Sequence, residues 1–301
     1  MKTSNILWAV AAVLLAACNQ EEPAATAPAA GNQVQMTFTA NAPTAAADTR
    51  TSLVEGTHVY WEPGDVIGVY SCIPDADEDF FKSEAPGTPF STTLTEASST
   101  ATFTGTAEEG ADKYIAVYPH DKFSACMWMN MEGMEIYTIG FELPTEQEAV
   151  AGSFANGLNL SWAETTNPNG SLTFKNFCAL VKFSISGDAD GLKSVTLTDL
   201  EDVSLGGHCS YEAIGDIEEN FTADGDPTIT LTGEFTTGTD YYFVVCPTAY
   251  SRNYALQNGF SLTFTWDDDQ TFVKTSTAGI DKQLAAGTIL DLGEIEITKP
   301  Q

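Results

Sequence analysis

Val34-Gln35-Met36-Thr37-Phe38-Thr39-Ala40 decides how the rest of the chain is read. Its apolar residues fall on every second position, with Gln35, Thr37 and Thr39 between them. That is the period of a half-buried β-strand. The same alternation or a short apolar run recurs at 101–103, 114–118, 172–174, 180–185, 195–197, 228–231, 241–245, 260–266 and 289–297. Turn residues separate these segments, as in Glu62-Pro63-Gly64-Asp65 and Asp188-Ala189-Asp190-Gly191. Threonine is frequent at strand positions, where its branched Cβ suits a pleated surface. Long helical patterns are absent, and Thr145 to Ala155 is expected to be a loop with a single turn of helix. Many short strands with frequent turns predict an all-β sandwich.

An internal echo points to two related halves. Phe103-Thr104-Gly105 opens a segment that closes on Tyr114-Ile115-Ala116-Val117-Tyr118-Pro119, and Leu231-Thr232-Gly233 opens another that closes on Tyr242-Phe243-Val244-Val245-Cys246-Pro247. The offset is 128 residues throughout, as 247 − 119 and 233 − 105. Thr, Gly, Gly, Asp, Tyr, Val and Pro coincide at 104, 105, 110, 112, 114, 117 and 119. Each copy reads as a strand, a glycine-containing turn and a buried strand ended by proline. The expected organisation is a leader over 1–17, a flexible tether over 18–32, and two sandwich domains over 33–170 and 171–301.

Of the 301 residues, 42 are acidic and 12 basic, a formal net charge of −30. That balance excludes nucleic acid as a partner, since phosphates require a basic face. It reads as solubility through self-repulsion. The acidic runs Asp75-Ala76-Asp77-Glu78-Asp79 and Asp267-Asp268-Asp269 lack the glycine and distant glutamate of an EF-hand, so no metal is expected. His58, His120 and His208 have no partner at ligand or triad spacing. There is no G-x-S-x-G, H-E-x-x-H or glycine-rich phosphate loop, so neither catalytic residues nor a cofactor are expected. Trp61, Trp162 and Trp266 could form a sugar platform, but aromatics in alternating strands read first as core. Cys72, Cys126, Cys178, Cys209 and Cys246 are widely spaced and odd in number, which fits buried thiols rather than a disulfide framework.

At the start, Lys2 and the apolar run Ile6 to Ala17 have the form of a secretory signal, too short to span a bilayer. Leu15-Ala16-Ala17-Cys18 resembles a bacterial lipobox, in which the cysteine is acylated and becomes the mature N-terminus. The alternative is an ordinary cleaved signal that happens to contain a cysteine. The lipobox reading implies anchoring to outer-membrane lipid through Cys18, since several acyl chains hold where one does not. Asn19-Gln20-Glu21-Glu22 loosely resembles an acidic surface-export signal, which tilts the expectation toward exposure on the cell surface.

Asp48-Thr49-Arg50-Thr51-Ser52-Leu53, followed by Val59-Tyr60-Trp61-Glu62-Pro63-Gly64-Asp65-Val66-Ile67-Gly68-Val69-Tyr70, resembles the fimbrillin family, the type V pilins of Bacteroidota. The likeness continues through Ala116-Val117-Tyr118-Pro119, Leu143-Pro144-Thr145-Glu146-Gln147, Phe174-Lys175-Asn176-Phe177-Cys178-Ala179-Leu180-Val181-Lys182-Phe183 and Ala286-Gly287-Thr288. No one of these motifs is decisive; their order and spacing carry the likeness. The resemblance implies two tandem transthyretin-like Greek-key sandwiches, and export as a lipoprotein. It also implies cleavage after an arginine, which frees the first strand so that a strand from another subunit fills the groove. Carried over to this sequence, the cut falls between Arg50 and Thr51. The expected donor strand is the C-terminus, with Leu290, Leu292, Ile295 and Ile297, although that tail could equally close its own domain. Other pilin subunits are then the partners, in a surface fimbrium serving adhesion. The alternative is a non-polymerising surface lipoprotein that binds a host glycan or protein.

Overall fold

The computed structural model describes residues 32–41, 53–54, 58–74, 80–158, 160–215, 218–250, 253–281 and 283–301. Within them the chain is all β, apart from one helical turn at His120–Lys122. The alternating strand that opens the chain, Gln33–Asn41, belongs to an eight-stranded sheet. In order across that sheet run Ser171–Thr173, Gln33–Asn41, Thr100–Glu108, Thr88–Thr92, Val66–Cys72, Lys113–Tyr118, Ser161–Thr165 and Lys175–Asn176. The two outermost strands are separated in sequence by Phe174 alone, so a single short segment supplies both edges.

A five-stranded antiparallel sheet runs Glu218–Asp224, Gly207–Ile214, Met134–Leu143, Phe123–Met131 and Phe80–Ser83. Two of its strands come from the second half of the sequence and three from the first. A six-stranded sheet orders Ser153–Phe154, Glu146–Val150, Thr228–Thr232, Leu192–Asp199, Phe260–Trp266 and Thr271–Ser276. Asp240–Val245, Ala179–Gly187 and Ile289–Ile297 form a three-stranded sheet with the C-terminal strand at its edge.

Three cores follow from which faces of these strands are apolar. Met36, Phe38, Trp61, Phe90, Phe103 and Tyr114 belong to one, built wholly from residues below 175. Phe183, Val195, Leu231, Phe243, Phe264 and Trp266 belong to another, whose buried residues all lie above 178, with Ala149 of the first half packed against it. The third takes Tyr70, Trp128, Phe141 and Trp162 from one half and Phe177, Tyr211, Phe221 and Val244 from the other. The halves of the echo are used alike. Lys113–Tyr118 is buried along its whole length and Asp240–Val245 nearly so, and each pairs antiparallel with a long strand of its own half.

The segment expected to be a loop with a helical turn is a strand pair instead. Glu146–Val150 pairs parallel with Thr228–Thr232 through Glu146, Gln147 and Glu148, and antiparallel with Ser153–Phe154. The cause is tertiary. The Gln147 amide oxygen accepts from Val244 N–H at 3.0 Å, and its Nε2 donates to the carbonyl of Val244 at 2.8 Å, so a side chain acts as a ladder partner. Weak local propensity loses to backbone satisfaction of that kind.

All three candidate platform tryptophans are buried; Trp61 and Trp162 face core aromatics, and Trp266 belongs to the second-half core. All five described cysteines are buried and free.

Candidate functional site

The opening strand Gln33–Asn41 is an interior strand of its sheet, held on both sides. Along its whole length it pairs antiparallel with Thr100–Glu108, from Gln33 opposite Glu108 to Asn41 opposite Thr100. On the other side Thr39, Ala40 and Asn41 pair parallel with Ser171, Leu172 and Thr173. Where that short ladder has not yet begun, Thr37 N–H is met by the Asn169 side-chain oxygen at 2.7 Å, and Thr39 N–H donates to Gly170 at 3.1 Å. Met36, Phe38 and Ala40 are buried, and the Phe38 ring lies 5.6 Å from both Phe90 and Tyr114. Opposite Met36 stands Gly105, whose missing side chain is what lets the Phe90 ring close over the strand.

Withdrawing this strand would bare two rows of backbone donors and acceptors and an apolar slot. Unpaired edges of that kind recruit another strand, with main-chain bonds supplying affinity and alternate side chains specificity. Cys18, Arg50 and Thr51, the expected lipidation and cleavage residues, lie outside the described residues.

The expected donor residues sit in the edge strand Ile289–Ile297, which runs parallel to Ala179–Gly187 with a register shift near Gly293. Leu290, Leu292 and Ile295 are half-buried against the second-half core, and Ile297 is fully buried. Charges hold both ends of the strand. Lys182 Nζ lies 2.7 Å from Asp291, and this hydrogen bond holds the Asp291 carboxyl below its usual range. Lys299 Nζ lies 2.8 Å from Asp268, while Lys193 pairs with Asp269. Among the described residues no cluster of three or more His, Cys, Asp or Glu could hold a metal ion.

The seat of Ile297 depends on Gly187, which has φ +91°. A β-carbon there would overlap the Ile297 carbonyl, which accepts from Asp188 N–H at 3.2 Å. Gly187→Ala is expected to loosen the terminal strand, through about 1–2 kcal/mol of left-handed backbone cost added to the overlap. Hydrogen exchange should show it, with faster exchange for the amides of the Ser184–Gly187 ladder while those of Thr100–Glu108 stay protected. Unchanged protection at Ser184–Gly187 would show that the strand is not seated through this glycine.

Sequence reasoning missed a buried cation. Lys113 is 5% exposed. Its Nζ reaches Glu135 at 2.5 Å, Tyr137 OH at 2.6 Å and Glu164 at 2.9 Å, and it lies over the Trp128 and Tyr137 rings. The Tyr137 hydroxyl proton is shared between Glu135 at 2.8 Å and Glu164 at 2.5 Å. Burial pushes the Glu135 carboxyl upward, but hydrogen bonds from Lys113 and Tyr137 outweigh it and leave it below its usual range. A lysine in an otherwise apolar strand, Lys113-Tyr114-Ile115-Ala116-Val117-Tyr118, was the one available signal.

No family model matches the chain, and no curated protein matches it. Among solved structures it is similar to a candidate cell adhesion protein of Bacteroides uniformis, at 17% identity over 88% of this chain and 93% of that one, with a TM-score of 0.46. It is also similar to a fimbrial protein of Bacteroides ovatus, at 12% identity over 88% of this chain and 50% of that one, TM-score 0.37. A third is the C-terminally truncated tip fimbrial protein Mfa3 of Porphyromonas gingivalis, at 8% identity over 81% of each chain, TM-score 0.32.

Proposed function

We propose that this chain is a fimbrillin-type pilus subunit. It is exported as a lipoprotein through Cys18, exposed at the outer membrane, and polymerised when cleavage after Arg50 frees its opening strand for replacement by a strand of another subunit. One observation carries this reading. Gln33–Asn41 is inserted between two partner strands with Met36, Phe38 and Ala40 buried, so its loss would create a slot of defined shape. Arg50 follows that strand closely and is the one basic residue between Lys2 and Lys82, which makes it the natural target of an arginine-specific protease. We read residues 33–170 and 171–301 as two sandwich modules that share a middle core, with adhesion as the role of the assembled fibre.

The position of the terminal strand supports a second reading. It is folded into its own sheet with Ile297 buried, as expected of a subunit that accepts a strand without donating one, or of a monomeric surface lipoprotein that binds a host glycan or protein. Treatment with an arginine-specific protease separates the possibilities. SDS-resistant ladders whose subunits begin at Thr51 are expected, and Arg50→Ala should abolish them. A trimmed monomer would favour the second reading. Fibres beginning at Cys18, or normal ladders from Arg50→Ala, would overturn the first.

A further inference from the structure

Four of the six methionines lie within eight residues, at Met127, Met129, Met131 and Met134. Phe123–Met131 and Met134–Leu143 form a hairpin whose two-residue turn, Glu132-Gly133, has positive φ at both positions, 53° and 91°. This is the backbone of a type I′ turn, whose twist matches that of the flanking strands. The tight turn fixes the register, with Met131 opposite Met134, Met129 opposite Ile136 and Met127 opposite Thr138. Side chains two apart on a strand share a face. Trp128 and Cys126 therefore point into the core, and the methionines point out. Met131 is 55% exposed and Met134 38%, two of the few large apolar side chains left in water.

We propose that Met129, Met131 and Met134 form a thioether site for a soft monovalent cation, Cu(I) or its redox-inert counterpart Ag(I). Register partners have Cβ atoms about 4.5–5.5 Å apart, and the next residue on the same face follows at about 7 Å. Methionine has three flexible bonds beyond that and a polarizable sulfur at their end. Three sulfurs can therefore converge at the turn end of the hairpin without moving its backbone. Thioethers are soft ligands that select Cu(I) over the harder divalent ions. Ionisable residues whose register or turn position brings them to this face include Lys82, Glu132, Glu142, His208 and Glu212, and Asp112, Lys113 and Glu135 line the cavity beside the three methionines. The five described thiols do not compete, being buried, and burial pushes the Cys72, Cys126 and Cys178 thiols up, away from the ligating thiolate.

Ligation by a thioether involves no proton, whereas thiol or imidazole ligation releases one. The test uses the full chain carrying Cys18→Ser, labelled with ¹³C-methyl methionine and titrated with Ag(I) at pH 7 and pH 5. The methyl resonances of Met129, Met131 and Met134 are expected to shift together and saturate at one equivalent at both pH values, while that of buried Met36 stays still. Static resonances at those three positions, or shifts confined to pH 7, would overturn the proposal. A second arm measures competition against a chromogenic Cu(I) chelator under reductant. Replacing all three with leucine keeps the surface apolar at similar volume. It should weaken capture at least about tenfold, the lower end of what loss of even a supporting group costs a metal site. Equal capture by the triple variant would place the ion elsewhere and leave this face as apolar surface only.

Discussion

Phe38→Ala should lower the free energy of unfolding by about 3–5 kcal/mol, the range for truncating a fully buried phenylalanine. The ring is 0% exposed and is packed against Phe90 and Tyr114, which belong to other strands of the same sheet. Those neighbours are fixed by their own ladders, so the site has little freedom to collapse, and the cost should fall toward the upper end of the range. Urea denaturation measures it, as a lower midpoint with an unchanged slope. Val34→Ala, on the same face but only half-buried, should cost well under half as much. Hydrogen exchange then locates the effect. Amides of Thr100–Glu108, which pair with the opening strand along its whole length, should exchange faster than those of Asp240–Val245. A loss below about 1 kcal/mol, within the range of a surface substitution, would mean that the strand contributes little to its slot. The proposed exchange would then lack its driving force.

Lys113→Met is expected to cost about 3 kcal/mol at pH 7, the lower end for removing one partner of a buried ion pair. The lower end applies because the Glu135 and Glu164 side chains keep 31% and 36% of their exposure and can be partly rehydrated, whereas that of Lys113 keeps only 6%. The pH dependence carries the diagnosis. In the native chain the Glu135 carboxyl is held below its reference value of 4.5. Its contribution to stability is therefore present above that pH and lost as the pH falls through the folded value. With the ammonium gone, burial is left to push the Glu135 carboxyl upward, and the sign reverses: protonation relieves the variant as the pH drops. The deficit between variant and native chain should therefore begin to shrink above about pH 4.5, where the raised carboxyl of the variant takes up its proton. It should continue to shrink below that pH as the native chain loses the Glu135 contribution. Denaturation midpoints at pH 7, 5 and 4 would measure it. A deficit independent of pH would assign the lysine a packing role through its apolar stem, with the charges contributing nothing net.

Strand faces were legible wherever one face met water. Val34 to Ala40 alternates because its inner side chains reach Phe90 and Phe103 while Gln35, Thr37 and Thr39 do not, so burial is written into the period. The hairpin Phe123–Met131 with Met134–Leu143 was illegible for the opposite reason. Its inner residues Cys126 and Trp128 and its outer residues Met127 and Met129 are all apolar, and the alternation vanishes. The Glu132-Gly133 turn was a usable signal in that stretch. The partners of Lys113 stand 22 and 51 residues away, at Glu135 and Glu164, and no spacing rule links them.

By itself the sequence determined the all-β class, most strand faces and the core role of the tryptophans. Each of these depends on side-chain chemistry within a few residues. Only the tertiary structure decided which ladders meet: the opening strand between Thr100–Glu108 and Ser171–Thr173, the terminal strand at the edge of its own sheet, and Glu146–Val150 as a strand at all. Backbone donors and acceptors are chemically the same in every strand. Which pair forms is settled by apolar surfaces distant in sequence that must be buried together, and that choice leaves no local trace.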